Sequence, residues 1–119
     1  MLQRMLSSQS RRDNAQLTDQ VYRIMAATPV AGILGAISAM RDRPDSFPLL
    51  PTLSGLPALI VVGDDDHLTP VDRAQAMADA LPDARLAVVP GAGHLTSMEC
   101  PDATTGLLAD FLATLGRPA

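Results

Sequence analysis

Tryptophan is absent from this sequence, and only one tyrosine and two phenylalanines stand among its 119 residues. Leu, Val, Ile, Met and Ala must therefore fill any core. Cysteine occurs once, at Cys100, so no internal disulfide can form. That scarcity suits a reducing cytoplasm, the location expected for this chain. Clustered basic residues are missing too: nine Lys and Arg against thirteen Asp and Glu leave a formal net charge of −4. Nucleic acid needs grouped cations for its phosphates, and Arg11-Arg12 is too short a patch, so no nucleic-acid partner is expected. No apolar run is long enough for a bilayer. The longest, Val30 to Met40, is broken by Gly32, Gly35 and Ser38, and no membrane partner is expected. Met1 to Ser10 lacks the sustained apolar core of a signal peptide. No internal repeat or low-complexity tract stands out. Finally, no Gly-x-Ser-x-Gly segment is present, the pattern that presents a serine nucleophile on a strand-to-helix turn.

What is there has the composition of a soluble globular protein, 47% apolar and 18% charged, with the length of one domain at most. Asp13 or Asn14 can cap a helix running to about Ala27, whose buried stripe would be Leu17, Val21, Ile24 and Met25. Thr28-Pro29 ends it and starts another, with Thr28 as cap, to about Arg41. That second helix is apolar on several sides and rich in Ala and Gly, as suits a helix packed on more than one face. Arg43 to Pro57 holds four prolines and reads as a connector. Ala58 to Val62 is a continuously apolar strand of the kind buried on both faces in a parallel sheet. Thr69-Pro70-Val71-Asp72 opens a helix, with Thr69 as cap and Val71, Ala74, Met77, Ala78 and Leu81 buried, ending at Pro82. Arg85 to Val89 is a second strand. A last helix starts near Asp102 with Leu107, Leu108, Phe111, Leu112 and Leu115 facing inward, and Gly116 and Pro118 end it. Strand, helix, strand, helix makes one right-handed parallel crossover and a closing helix.

The chemistry concentrates at two strand ends. Leu59-Ile60-Val61-Val62-Gly63-Asp64-Asp65-Asp66 is an apolar strand breaking into an acidic turn. Leu86-Ala87-Val88-Val89-Pro90-Gly91-Ala92-Gly93-His94 is a second strand breaking into a glycine-rich turn. A carboxylate and an imidazole, each just past the carboxyl end of a strand, are two thirds of a nucleophile–His–acid triad. The plain alternative is a turn aspartate and a surface histidine. Asp64 and Asp65 are turn formers, His67 a solvated turn residue, and the acidic cluster lacks the spacing of a calcium loop, so no metal is expected. Ser54 and Ser97 lie on no elbow, and no motif surrounds Cys100; all three are taken as structural.

Gly63-Asp64-Asp65-Asp66-His67-Leu68-Thr69-Pro70 resembles the acid turn, Gly-x-x-Asp-x-x-x-Pro, of the α/β-hydrolases. Pro90-Gly91-Ala92-Gly93-His94 with Glu99-Cys100-Pro101-Asp102 is similar to their histidine turn and the start of their last helix. The resemblance is to the esterase and lactonase branch, of the 3-oxoadipate enol-lactonase type. Residues 14–50, with Met40-Arg41-Asp42-Arg43-Pro44-Asp45, are similar to the helical cap of that branch. It implies an α/β fold present in part: a helical cap and connector over 1–52, and the carboxyl-terminal strand-helix-strand-helix of the core over 53–119, with an incomplete parallel sheet. It also implies that Asp66 is the triad acid, placed three residues after the turn glycine, and that His94 is the base. Met25, Ile33, Leu34 and Ile37 would by the same resemblance line a substrate pocket, though plain helix packing accounts for each equally well. Arg43 and Asp45 are expected to anchor the cap to the core by an ion pair.

The expected function follows. A serine attacks an ester or lactone carbonyl, His94 serves as general base and then acid, and Asp66 orients it, with no cofactor. The nucleophile must come from another polypeptide or segment, and the chain alone is expected to be inactive. Two parallel strands leave an open edge, so association with the missing half or with a second copy is expected. Two other classes compete: a non-catalytic association module of the same fold, and a hydrolase with an aspartate nucleophile acting on epoxides or halides.

Overall fold

The computed structural model describes residues 1–116. Two short helices, α1 (Leu2–Met5) and α2 (Ser8–Asp13), precede α3 (Ala15–Ala27) and α4 (Val30–Asp42). A 3-10 turn, Phe47–Thr52, leads to β1 (Ala58–Gly63), α5 (Val71–Ala80), β2 (Ala84–Val89), α6 (Thr96–Glu99) and α7 (Pro101–Thr114). The strands pair in parallel, with Ala58 opposite Ala84 and Gly63 opposite Val89. Parallel pairing brings both carboxyl ends to the same edge, which places the acidic and glycine-rich turns side by side.

Local chemistry explains most boundaries. The Asn14 carboxamide oxygen accepts the Leu17 N–H at 3.0 Å and so starts α3. Leu17, Val21 and Met25, one residue per turn, form its inner row, whereas Ile24 falls beside that row and is exposed. Two caps expected from the spacing do other work. The Thr28 hydroxyl turns back to the Ile24 carbonyl, leaving Pro29 at the head of α4. The Thr69 hydroxyl bonds Asp66, leaving Pro70 at the head of α5. The expected Arg43–Asp45 ion pair is absent among the described residues. Arg41 pairs with its neighbour Asp42, and Asp45 accepts the Phe47 N–H at 2.9 Å, because an aspartate just ahead of a turn reaches the amide two residues on most easily.

One buried cluster joins the amino-terminal helices to the segment after β2. Leu6, Leu17 and Val21 are buried together, with Leu2, Met25, Leu95 and Met98 packed around them. Residues 1–13 thus sit against the segment that follows β2. Val62, Ala74, Val89 and Ala92 are buried as well, but other apolar faces are open. No residue of α4 is buried. α7, expected to turn five side chains inward, half-buries Leu107 and Phe111 but leaves Leu108, Leu112 and Leu115 exposed. Its buried residue is Thr104. The reason is the sheet: two strands offer too little surface to cover that helix. Pro118, expected to help end α7, lies outside the described residues. The accessible surface, 8245 Å², exceeds the roughly 6,200 Å² expected for a compact monomer of this mass. Among the described residues no single helix is long and apolar enough to cross a membrane; α3 and α4 meet at 93°.

Candidate active site

Asp66 and His94 meet where the two strands end. His94 Nδ1 lies 3.0 Å from Asp66 Oδ2. Asp66 is buried, with its side chain 4% exposed, while that of His94 is 35% exposed. Every acceptor position on the carboxylate is engaged. Oδ1 accepts the N–H groups of Leu68 and Thr69 at 2.8 and 2.9 Å, and Oδ2 accepts the Thr69 hydroxyl at 3.0 Å as well as the imidazole. Burial by itself would raise the Asp66 pKa. The Thr69 N–H, the His94 ring, the Leu68 N–H and the Thr69 hydroxyl outweigh it and hold the carboxyl below its ordinary value. An ionised Asp66 only accepts, so the proton of the pair sits on His94 Nδ1. The Thr69 hydroxyl gives its own proton to Asp66 and lies 3.2 Å from Nδ1, so Nδ1–H points between two oxygens. Nε2 has no hydrogen-bond partner among the described residues; in the neutral imidazole with its proton on Nδ1, that nitrogen carries the lone pair.

The two turns are locked face to face. Asp65 donates its N–H to the Ala92 carbonyl at 3.0 Å, and Asp64 donates to Val89 at 3.1 Å, which extends the strand pairing by one step. Asp64 Oδ1 accepts the Gly91 N–H at 2.9 Å. Gly63 has no room for a side chain, since a Cβ there would run into the carbonyls of Ala92 and Gly93. Gly91, at φ +77°, takes the left-handed conformation that turns the chain. The glycines thus bring two backbones close enough for their side chains to touch.

Residues 1–13 brace this pair of turns. The Met5 carbonyl accepts the His94 N–H at 3.0 Å. The Ser8 N–H donates to Asp65 Oδ2 at 2.6 Å, and Asp65 Oδ1 holds His67 Nε2 at 2.9 Å. Chiefly through the Ser8 N–H, the Asp65 carboxyl lies below its ordinary value. Sequence reasoning gave this segment no role at the site, and Asp65 only that of a turn former. It also gave no role to Glu99, whose carboxylate bonds Gly93 and Ser7. A repeating pattern signals a helix or strand, but nothing in a short, irregular stretch announces a contact formed across ninety-odd residues.

The other candidates fall as follows. A cleft of about 310 Å³ adjoins the pair, walled by Ile60, Val62, Ala74 and Met77 and reaching Arg73 and Thr96. Met25 packs in the core around Leu6, while Ile33, Leu34 and Ile37 are exposed on α4 and do not border that cleft. Ser54 and Ser97 are exposed, and neither bonds His94. Burial, then the charges of Glu99 and Asp64, push the Cys100 thiol up, away from a reactive thiolate. Among the described residues no cluster of three or more His, Cys, Asp or Glu side chains could hold a metal ion.

Comparison with known proteins agrees with this architecture. Residues 39–119 match the TAP-like protein family, and the chain belongs to that family of α/β-hydrolases. It is 36% identical over 78 residues to a 2-hydroxy-6-oxononadienedioate/2-hydroxy-6-oxononatrienedioate hydrolase of a Pseudomonas species, a match covering 66% of this chain and 27% of that protein. It superposes on a thermophilic esterase from Thermogutta terrifontis, solved with malate bound, with a TM-score of 0.92 and 32% identity, over 96% of this chain and 42% of the esterase. The bromoperoxidase-like protein BpoC of Mycobacterium tuberculosis H37Rv, described as a non-heme enzyme, shares the fold at a TM-score of 0.80 and 24% identity, over 98% and 43% of the two chains. The chain thus spans between a quarter and a half of the length of these relatives, and the α/β-hydrolase fold is present in part.

Proposed function

We propose that this chain supplies the acid and the base of a hydrolase for carboxylic ester or lactone bonds, with a serine nucleophile and oxyanion donors provided by a polypeptide segment outside these 119 residues. The observation that carries the reading is the Asp66–His94 pair at 3.0 Å, at the carboxyl ends of adjacent parallel strands, with the acid buried and the base open on its Nε2 side. In the acylation step Nε2 takes the proton of the serine hydroxyl as its oxygen attacks the carbonyl. The imidazolium so formed is stabilised by Asp66, whose other contacts hold it ionised. Nε2 then protonates the departing alkoxide. Water repeats the sequence against the acyl-enzyme, and the carboxylic acid leaves. The related esterase and dienedioate hydrolase favour a carbonyl substrate, and membership of the α/β-hydrolases favours the serine mechanism.

The test is hydrolysis of a short-chain nitrophenyl ester by this chain mixed with an amino-terminal α/β-hydrolase half bearing Gly-x-Ser-x-Gly. Turnover in the mixture, absent from either part and lost with His94→Ala, is the expected result. Turnover unaffected by His94→Ala would remove the proposed base from the reaction.

A further inference from the structure

We infer that Glu99 is the positioning residue for His94, acting as a two-handed clamp between the histidine turn and the amino-terminal segment. The inference rests on the proposed role of His94 as a base, and extends it to a residue that touches neither the imidazole nor Asp66. Glu99 Oε2 accepts the Gly93 N–H at 2.8 Å, and Oε1 accepts the Ser7 N–H at 2.7 Å. The next amide, that of His94, is held by the Met5 carbonyl at 3.0 Å. Consecutive backbone N–H groups at the base are therefore fixed to the same remote segment, one directly and one through Glu99.

Space and burial show that the clamp is closed. A Cβ on Gly93 would lie 2.6 Å from the Ser7 nitrogen and 2.8 Å from the Leu6 carbonyl carbon. Leu6 and Ser7 are fully buried, and the Ser7 hydroxyl is occupied with Ser10. The Ser7 N–H thus has no access to water, and Glu99 is its partner. Both donors require acceptors, and a carboxylate provides two. A glutamine provides one and turns its NH₂ toward the other donor, leaving a buried N–H unsatisfied. The position demands a carboxylate by its hydrogen-bond count, and the place it holds is the backbone from which the imidazole projects. A loosened turn lets the ring leave the line between Asp66 and the substrate.

The experiment uses the full chain and Glu99→Gln, nearly the same shape with one acceptor fewer. Imidazole nitrogen NMR reads the His94 tautomer and the Nδ1–H proton bonded to Asp66. In the variant we expect that proton signal to broaden or vanish and the ring to show mixed tautomers, while the amide signals of β1 and β2 stay in place. In an ester-cleaving mixture, kcat should fall about 10- to 100-fold with KM unchanged. A folded variant with an unchanged His94 signal would reduce Glu99 to a purely structural residue and overturn the inference. Should the variant not fold, hydrogen exchange in the unmodified chain decides: slow exchange at Ser7, Gly93 and His94 supports the clamp, and exchange at unstructured rates refutes it. An inactive mixture would count against the proposed function alone, since the NMR and exchange results need no turnover.

Discussion

At the scale of single residues, the site is a carboxylate made dependable by its own turn. Asp66 folds with its pKa below the ordinary 3.8, and Asp65 does likewise. In acid the unfolded chain therefore binds more protons than the folded one. The stability these groups contribute is complete above about pH 4 to 5 and is lost as the pH falls through their lower, folded values. Denaturant midpoints measured from pH 7 down to pH 2 should show that decline, and Asp66→Asn should flatten it. In a reconstituted enzyme the same substitution should lower kcat about 10⁴-fold, because an amide can donate to Nδ1 and favour the wrong tautomer. Thr69→Val keeps the shape and removes a donor to Oδ2. It should cost about 1 kcal/mol of stability and move the His94 Nδ1–H resonance, since the hydroxyl lies within reach of both partners. The ends of both strands could be read in the sequence because each apolar run stops abruptly at its turn. Glu99 could not, because its partners are backbone amides, which every residue carries and which leave no trace in side-chain chemistry.

At the scale of elements, glycines of one type do opposite things. Gly63 ends β1 against the carbonyls of Ala92 and Gly93, whereas Gly106, inside α7, has nothing within 4 Å of the place where a Cβ would stand. Gly63→Ala should destabilise the chain by about 3 kcal/mol or more, because neighbouring backbone cannot move aside. Gly106→Ala should stabilise it by about 0.5–1 kcal/mol through helix propensity. Thermal midpoints of the two variants, measured side by side, check both signs. The helices and strands themselves were legible because their periodicity, caps and prolines are local signals. Which face each helix buries was less so. The row Leu108, Leu112 and Leu115 marks an apolar face on α7 correctly, but periodicity identifies a face without identifying what covers it. Thr28 and Thr69 show a second limit: a hydroxyl suited to capping a helix is equally suited to other acceptors, and the fold chose those.

At the scale of the whole molecule, area is the telling quantity. The chain exposes 8245 Å², about 2,000 Å² beyond a compact protein of its mass. Its radius of gyration, 16.4 Å, likewise exceeds the roughly 13.5 Å expected for this length. A specific complex of standard size covers only about 800 Å² on each partner. Exposed apolar side chains include Leu34 and Met40 of α4, Phe47 of the 3-10 turn and Leu112 of α7, and on the proposed reading they would be covered by the complementary segment. Sedimentation velocity at micromolar concentration should show self-association of the isolated chain, and a hydrophobic dye should bind it. Both effects should diminish when a complementary amino-terminal half is added. A dye-silent monomer would mean that these side chains find cover within the chain itself.

The contact between Ser7 and Glu99 spans 92 positions, and it carries a consequence for the order of events during synthesis. The bonds that fix the Asp66 carboxylate, apart from that of the imidazole, come from within four residues and can form once Thr69 has been added, whereas the backbone of its turn is held to the second strand and its glycine-rich turn through Asp64 and Asp65. The histidine turn has no such independence. A growing chain must hold residues 5–8 idle until Glu99 has emerged, and only then can the amide of Gly93 find its acceptor. The contacts of the proposed acid are therefore local, whereas those that secure the proposed base close a loop of 92 positions, a step whose entropy cost makes it slow. A translational stall between Thr69 and Met98 would leave a nascent chain whose Asp66 carboxylate can be held by its own turn while the histidine turn is unsecured.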